Sequence, residues 1–180
     1  MVANADWWLN KVIMVTCAFI MGNFFTCWMV DFAIMWSPSS TVTPAQLDRS
    51  LAFYHMLVNA PPLYWTALAG AAGLALCSCA IKVLLNPLRG MLFDGASLML
   101  MISGLSVHTS NFRAALDYLP LPGTRVDSLV DSFKLKDALL TLASSNMIIA
   151  VTLTGVLAIQ SAQGFANRTP HLPTEVVATK

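Results

Sequence analysis

The side chains able to carry proton transfer, nucleophilic attack or metal binding are few in this chain, and their spacing supports none of those chemistries. His55, His108 and His171 fall in different segments. Cys77 and Cys79 are separated by one serine, with no histidine nearby and without the CxxC spacing of a redox pair. No HExxH, GxSxG or phosphate-loop pattern occurs. Catalytic and metal residues are therefore read as none, and no cofactor is implied. What remains is hydrogen bonding in an unusual setting. Ser144, Ser145 and Asn146 interrupt the apolar run TLASSNMIIAVTLTGVLAIQ. Lipid offers such groups no partner, so at membrane depth they serve packing or recognition.

The elements that must position them follow from composition. The chain has 180 residues, 57% hydrophobic and 11% charged, against about 25% charged in an ordinary soluble domain. Charge-free windows at 12–30, 63–81, 95–112 and 138–163 each approach the roughly 20 residues that cross a hydrocarbon core of about 30 Å. A soluble bundle would show polar stripes, and these windows mostly lack them. The fold class is all-α: a polytopic membrane protein with four transmembrane helices and a short amphipathic helix in the first non-cytoplasmic loop. Residues 1–166 are expected to form the membrane domain, and 167–180 a short disordered cytoplasmic tail. The first window is too long, and too bulky at Phe24, Phe25 and Trp28, for a cleaved signal peptide. Cys17, Cys27, Cys77 and Cys79 all fall within predicted spans and read as packing residues.

Basic residues divide evenly between the two sides. Lys82 and Arg89, close to helix ends in the short second connection, break the tie and place both termini in the cytoplasm. The sequon Asn167-Arg168-Thr169 would then face the cytosol and stay bare. Trp7, Trp8, Trp28, Trp36, Tyr64 and Trp65 flank the spans as an interfacial belt. A net charge of +1 leaves no basic field for nucleic acid, and the lipid bilayer is the evident surrounding.

The first loop carries Thr43 as N-cap, Pro44 at the first helical position and Gln46 to complete a capping box. Leu47, Leu51, Tyr54 and Val58 should form its apolar face, with Asp48, His55 and Asn59 on another. Pro61 and Pro62 end it. A turn is expected at Pro120–Gly123, and a helix beginning near Ser128 should feed the fourth span. Ala69 and Gly73 stand in small-xxx-small register. Ser103 and Asn111 belong to an unusually polar third span, and Ser144, Ser145, Asn146 and Gly155 do the same for the fourth. These are the candidates for contact with another membrane protein or for bundle packing, and both readings stay open. Asp31, Asp48 and Tyr54 are the candidates on the luminal loop.

The ordered set GNFFTCWMVDF ending in Phe32, then Asp48, Leu51, Tyr54, Leu57 and Pro61, then AIKVLLNP around Lys82, Asn86 and Pro87 resembles a known family. The likeness continues through Phe93, Asp94, Ser97 and Leu98, the ASSN at 143–146, Gly155 and Gln160. It covers roughly Gly22 to Gln160 and is to the fungal endoplasmic-reticulum chaperones that package amino acid permeases, the super-high-histidine-resistance type. The resemblance implies four spans, cytoplasmic termini, residence in the endoplasmic reticulum and no enzymatic activity. It implies newly made amino acid permeases as partners, kept from aggregating and helped to leave in coated vesicles. Better-known members carry a long charged tail linked to vesicle-coat components. Here residues 167–180 are short and nearly neutral, so coat components are the weaker expectation. A small transporter or channel, a membrane enzyme and a stable subunit of a transport complex are the competing classes.

Overall fold

Apolar helices without a polar stripe have two ways to satisfy their surfaces in lipid: pack a small-residue face inward and leave bulky chains outside. The computed structural model describes residues 2–37, 42–85, 87–120 and 129–166. It contains α1 (Val2–Met35), α2 (Pro44–Val58), α3 (Pro62–Leu85), α4 (Pro87–Leu116) and α5 (Leu129–Ala166), with no strand among the described residues. All but α2 are long and apolar enough to cross a membrane. Outward chains are large and greasy: Leu84 is 81% exposed, Leu63 78% and Met91 74%. Inside, the layer nearer the chain's N-terminus is built from small and β-branched residues such as Ile13, Cys17, Ala71, Ala75, Cys79 and Val156. A second layer, around Ile34, Tyr54, Ala115, Leu139 and Leu142, closes the other end.

The spans pack in the cyclic order α1, α3, α4, α5, so α1 and α4 lie across one diagonal and α3 and α5 across the other. Among the described glycines compared, Gly104 has the least room for a side chain. A Cβ there would meet Thr152 Cγ2 at 2.8 Å, so α4 and α5 approach closely only with glycine at that position. The helices run beyond the charge-free windows. α1 continues through Asp31 to Met35 because Phe32, Ala33, Ile34 and Met35 offer no breaker. α4 begins at Pro87, a residue suited to a first turn, and takes Asp94 inside the helix.

α2 caps the end of the bundle where α1 finishes and α5 begins, touching only those two helices. Its N-terminus is held as expected, with the Thr43 N–H donating to Gln46 Oε1 at 2.8 Å. Its buried face is shifted from the expected one. Ser50 and Tyr54 are buried, Leu47, Leu51 and Leu57 are half-buried, and Val58 is exposed. A face centred on Ser50 and Tyr54 takes Leu57, one position earlier on the 3.6-residue turn than Val58. α5 starts at Leu129, agreeing with a helix that feeds the fourth span. Residues 121–123 of the expected turn, the sequon at Asn167 and the whole of 167–180 lie outside the described residues.

Candidate functional site

Each end of the bundle holds a buried polar cluster, and α5 belongs to both. At the α2 end, Tyr54 Oη donates to the Asp31 carboxylate, 2.8 Å from Oδ1 and 2.7 Å from Oδ2. Asn146 Nδ2 donates to Asp31 Oδ2 at 3.0 Å and lies 2.9 Å from Tyr54 Oη. Three elements, α1, α2 and α5, therefore meet at one carboxylate, and all three side chains are buried. Burial, joined by the adjacent Asp31 carboxylate and the hydrogen bond to it, pushes the Tyr54 phenol well above its ordinary value. It remains a donor throughout the physiological range. Asp31 had been expected in the loop; it sits instead inside α1, one turn before that helix ends.

At the other end Lys82 Nζ lies 2.7 Å from Asp94 Oδ1, both fully buried. Lys82 also donates to Gln160 Oε1 at 2.9 Å and Gln163 Oε1 at 2.7 Å. The two amides turn their NH2 groups back to Asp94, Gln160 at 2.9 Å from Oδ1 and Gln163 at 3.0 Å from Oδ2. Gln160 further donates to Ser97 Oγ at 3.0 Å. Lys82 and the glutamines stand on diagonal helices, and their long side chains span the gap. Both lysine and carboxylate thus have every strong valence met, which is what an ion pair in a low-dielectric interior requires. In the sequence Lys82 and Asp94 mark only the borders of charge-free windows, and Gln163 only the end of one. The signal available was the i, i+3 pair Gln160 and Gln163 at the end of an apolar run, opposite two charges that end other runs.

A third feature is a lateral cleft of about 310 Å³ between α3 and α4, floored by α1 and α5. Trp65, Ala69, Leu105, Thr109 and Arg113 form its exposed rim, and Ile20, Met101, Ile149 and Leu153 its buried floor. Trp65 and Phe112 approach across it with centroids 6.1 Å apart. His108 also lines it, packed edge-on against Phe24 and pairing through Nδ1 with Ser145 Oγ at 3.0 Å.

These contacts separate the candidate residues. Ser145 and Asn146 are internal, committed to His108 and to the Asp31 cluster, whereas Ser144 faces outward. Gly155 sits where an added Cβ would make ordinary contact with Leu100 at 3.5 Å, so it is a half-buried packing position. Ala69 and Ser103 are exposed, Asn111 is half-buried, and Gly73 has open space where a Cβ would go. Asp48 is exposed on α2, away from Tyr54. Cys17, Cys27 and Cys79 are buried packing residues, but Cys77 points outward. No group of three or more metal-ligating side chains occurs among the described residues.

The family model described as ER membrane protein SH3, the SHR3 chaperones, matches residues 8–178 and so covers all of α2 to α5 and α1 from Trp8 onward. No curated protein and no solved structure matches the chain.

Proposed function

The chain belongs to the SHR3 chaperone family of ER membrane proteins, and from that membership we propose that it attends newly made amino acid permeases in the endoplasmic-reticulum membrane. On this reading it keeps their helices from aggregating and favours their departure in coated vesicles, with both of its own termini in the cytoplasm. The observation that carries the proposal is the extent of the family match, which runs through all four spans and the loop helix.

The distribution of small and polar side chains supports a mechanism. A half-assembled permease exposes close-packing faces and unmet polar groups to lipid. Ala69 and Gly73 on α3, Ser103 on α4 and Ser144 on α5 are not used up by internal packing, and each leaves a place on the outer surface of the bundle that an incoming helix can approach closely. Side-chain hydrogen bonds inside membranes average about 0.6 kcal/mol, so contacts of this kind hold a client and still release it. Ser145 and Asn146 support that surface from within and do not form part of it.

The test is deletion of the protein combined with imaging of several transporters. Selective retention of amino acid permeases in the endoplasmic reticulum is the expected result. Equal retention of unrelated membrane proteins, or none, would overturn the reading. The combined substitution Ala69→Leu, Ser103→Leu and Ser144→Leu should leave the protein inserted and stable but reduce permease export. Normal export in that variant would move client contact away from these residues.

A further inference from the structure

From the α3–α4 cleft we infer that the protein binds one glycerophospholipid, with an acyl chain in the cleft and the phosphate on Arg113. Size points to this occupant first. The cleft's 310 Å³ accommodates about ten methylene-sized groups at roughly 30 Å³ each.

Length agrees. The lining runs from Trp65 to Leu76 on α3 and from Met101 to Arg113 on α4, or about 16 to 18 Å at 1.5 Å per residue. That is the depth of one leaflet in a hydrocarbon core of about 30 Å. One end of the cleft thus lies near the bilayer middle, and the other at the level of headgroups, where Trp65 supplies an interfacial ring.

Chemistry agrees as well. The most deeply placed polar side chains of the cleft are engaged with the protein. Asn146 donates to Asp31, and His108 is paired with Ser145. The walls therefore ask for an apolar occupant, and a void of this kind in lipid fills with chain and not with water. At the mouth the Arg113 guanidinium has no ion-pair partner among the described residues. Its planar donor fork matches the geometry of a phosphate. An apolar slot one leaflet deep, ending on an uncommitted arginine at headgroup level, is complementary to a phospholipid along its whole length.

The inference is independent of which proteins are clients. Its test uses the full chain reconstituted in phosphatidylcholine vesicles containing a tracer phosphatidylcholine with a photoactivatable diazirine in one acyl chain, followed by mapping of labelled peptides. Labelling should concentrate several-fold on 65–76 and 101–113 relative to outward positions such as Leu84 and Met91. Ala72→Phe, which fills the cleft, should abolish the enrichment, and Arg113→Gln should reduce it while Arg113→Lys retains much of it. A diazirine diacylglycerol, lacking the phosphate, should label the wild type no better than phosphatidylcholine labels Arg113→Gln. Uniform labelling along α3 and α4 overturns the site. So does enrichment that survives Ala72→Phe in a folded variant. Equal labelling by diacylglycerol and phosphatidylcholine, or no effect of Arg113→Gln, overturns the phosphate contact. Arg113 is exposed and outside the core, so its variants keep the test readable if Ala72→Phe fails to fold.

Discussion

The Asp31 carboxylate takes its donors from two different helices, so its neighbours act as a unit. Tyr54→Phe removes one donor and should lower stability by about 1–2 kcal/mol. Asn146→Leu should cost a similar amount. Thermal unfolding in detergent of the two single variants and the double should give a coupling energy of about 0.5–2 kcal/mol, and strict additivity would show the three side chains to be independent. At the opposite end the magnitudes are larger. Lys82→Met strands a buried carboxylate and should cost about 3–5 kcal/mol. Adding Asp94→Leu removes the stranded charge and should recover most of that loss, because two apolar groups replace a matched pair. A double variant as unstable as the single would refute the pairing. At this scale the sequence was partly legible. Asp31 and Tyr54 stand together among the loop candidates and Asn146 apart from them among the span candidates, because nothing in the spacing of residues 31, 54 and 146 reveals that three helices converge on one carboxylate. Serine and asparagine adjacent in sequence were treated together, yet successive residues on a helix point about 100° apart, so Ser144 and Asn146 serve different surfaces.

Helix pairs carry their own expectations. α4 and α5 approach closely through Gly104, and Gly104→Ala drives a methyl into a β-branched Thr152 that has little freedom to move. A loss of about 1–3 kcal/mol is expected, relieved by Thr152→Ala in the same chain. Failure of that second change to restore melting temperature would mean the crossing is not set by this contact. α2 is tethered chiefly through Tyr54 and a few apolar neighbours. Loss of the phenol should speed amide exchange in 44–58 by about tenfold, the equivalent of about 1.4 kcal/mol, while exchange in α3 stays unchanged. The helices themselves were readable from hydropathy, capping chemistry and proline positions. Their ends were not. A charge marks the border of a charge-free window, but a charge with a partner across the bundle can lie inside the helix, as Asp31, Lys82 and Asp94 do. The shift from Val58 to Leu57 on α2 has the same origin: the partner surface, absent from the sequence pattern, selects the face.

For the molecule as a whole, orientation can be read by glycan acceptance. Ser39→Asn creates an Asn-Ser-Thr sequon in the first connection and should be glycosylated in cells, while the natural sequon at Asn167 should stay bare. The reverse pattern would invert the proposed topology. Class and family were legible across nearly the whole chain, since composition fixes the solvent and the ordered motifs fix the relatives. The cleft was not, because a gap between neighbouring helices leaves no mark in either sequence. One feature of the architecture reaches into how the protein is made. α5 contributes to both polar clusters, and it leaves the ribosome after the four helices it joins. Until it arrives, Asp31 has Tyr54 and Lys82 has Asp94, but Asp94 Oδ2 and the remaining Lys82 protons wait for Gln160 and Gln163. A nascent chain stopped before α5 therefore presents half-neutralised charges to the insertion machinery. It is marked as incomplete by its own chemistry, so during its synthesis this protein passes through the same kind of exposed state that the proposed mechanism assigns to its clients.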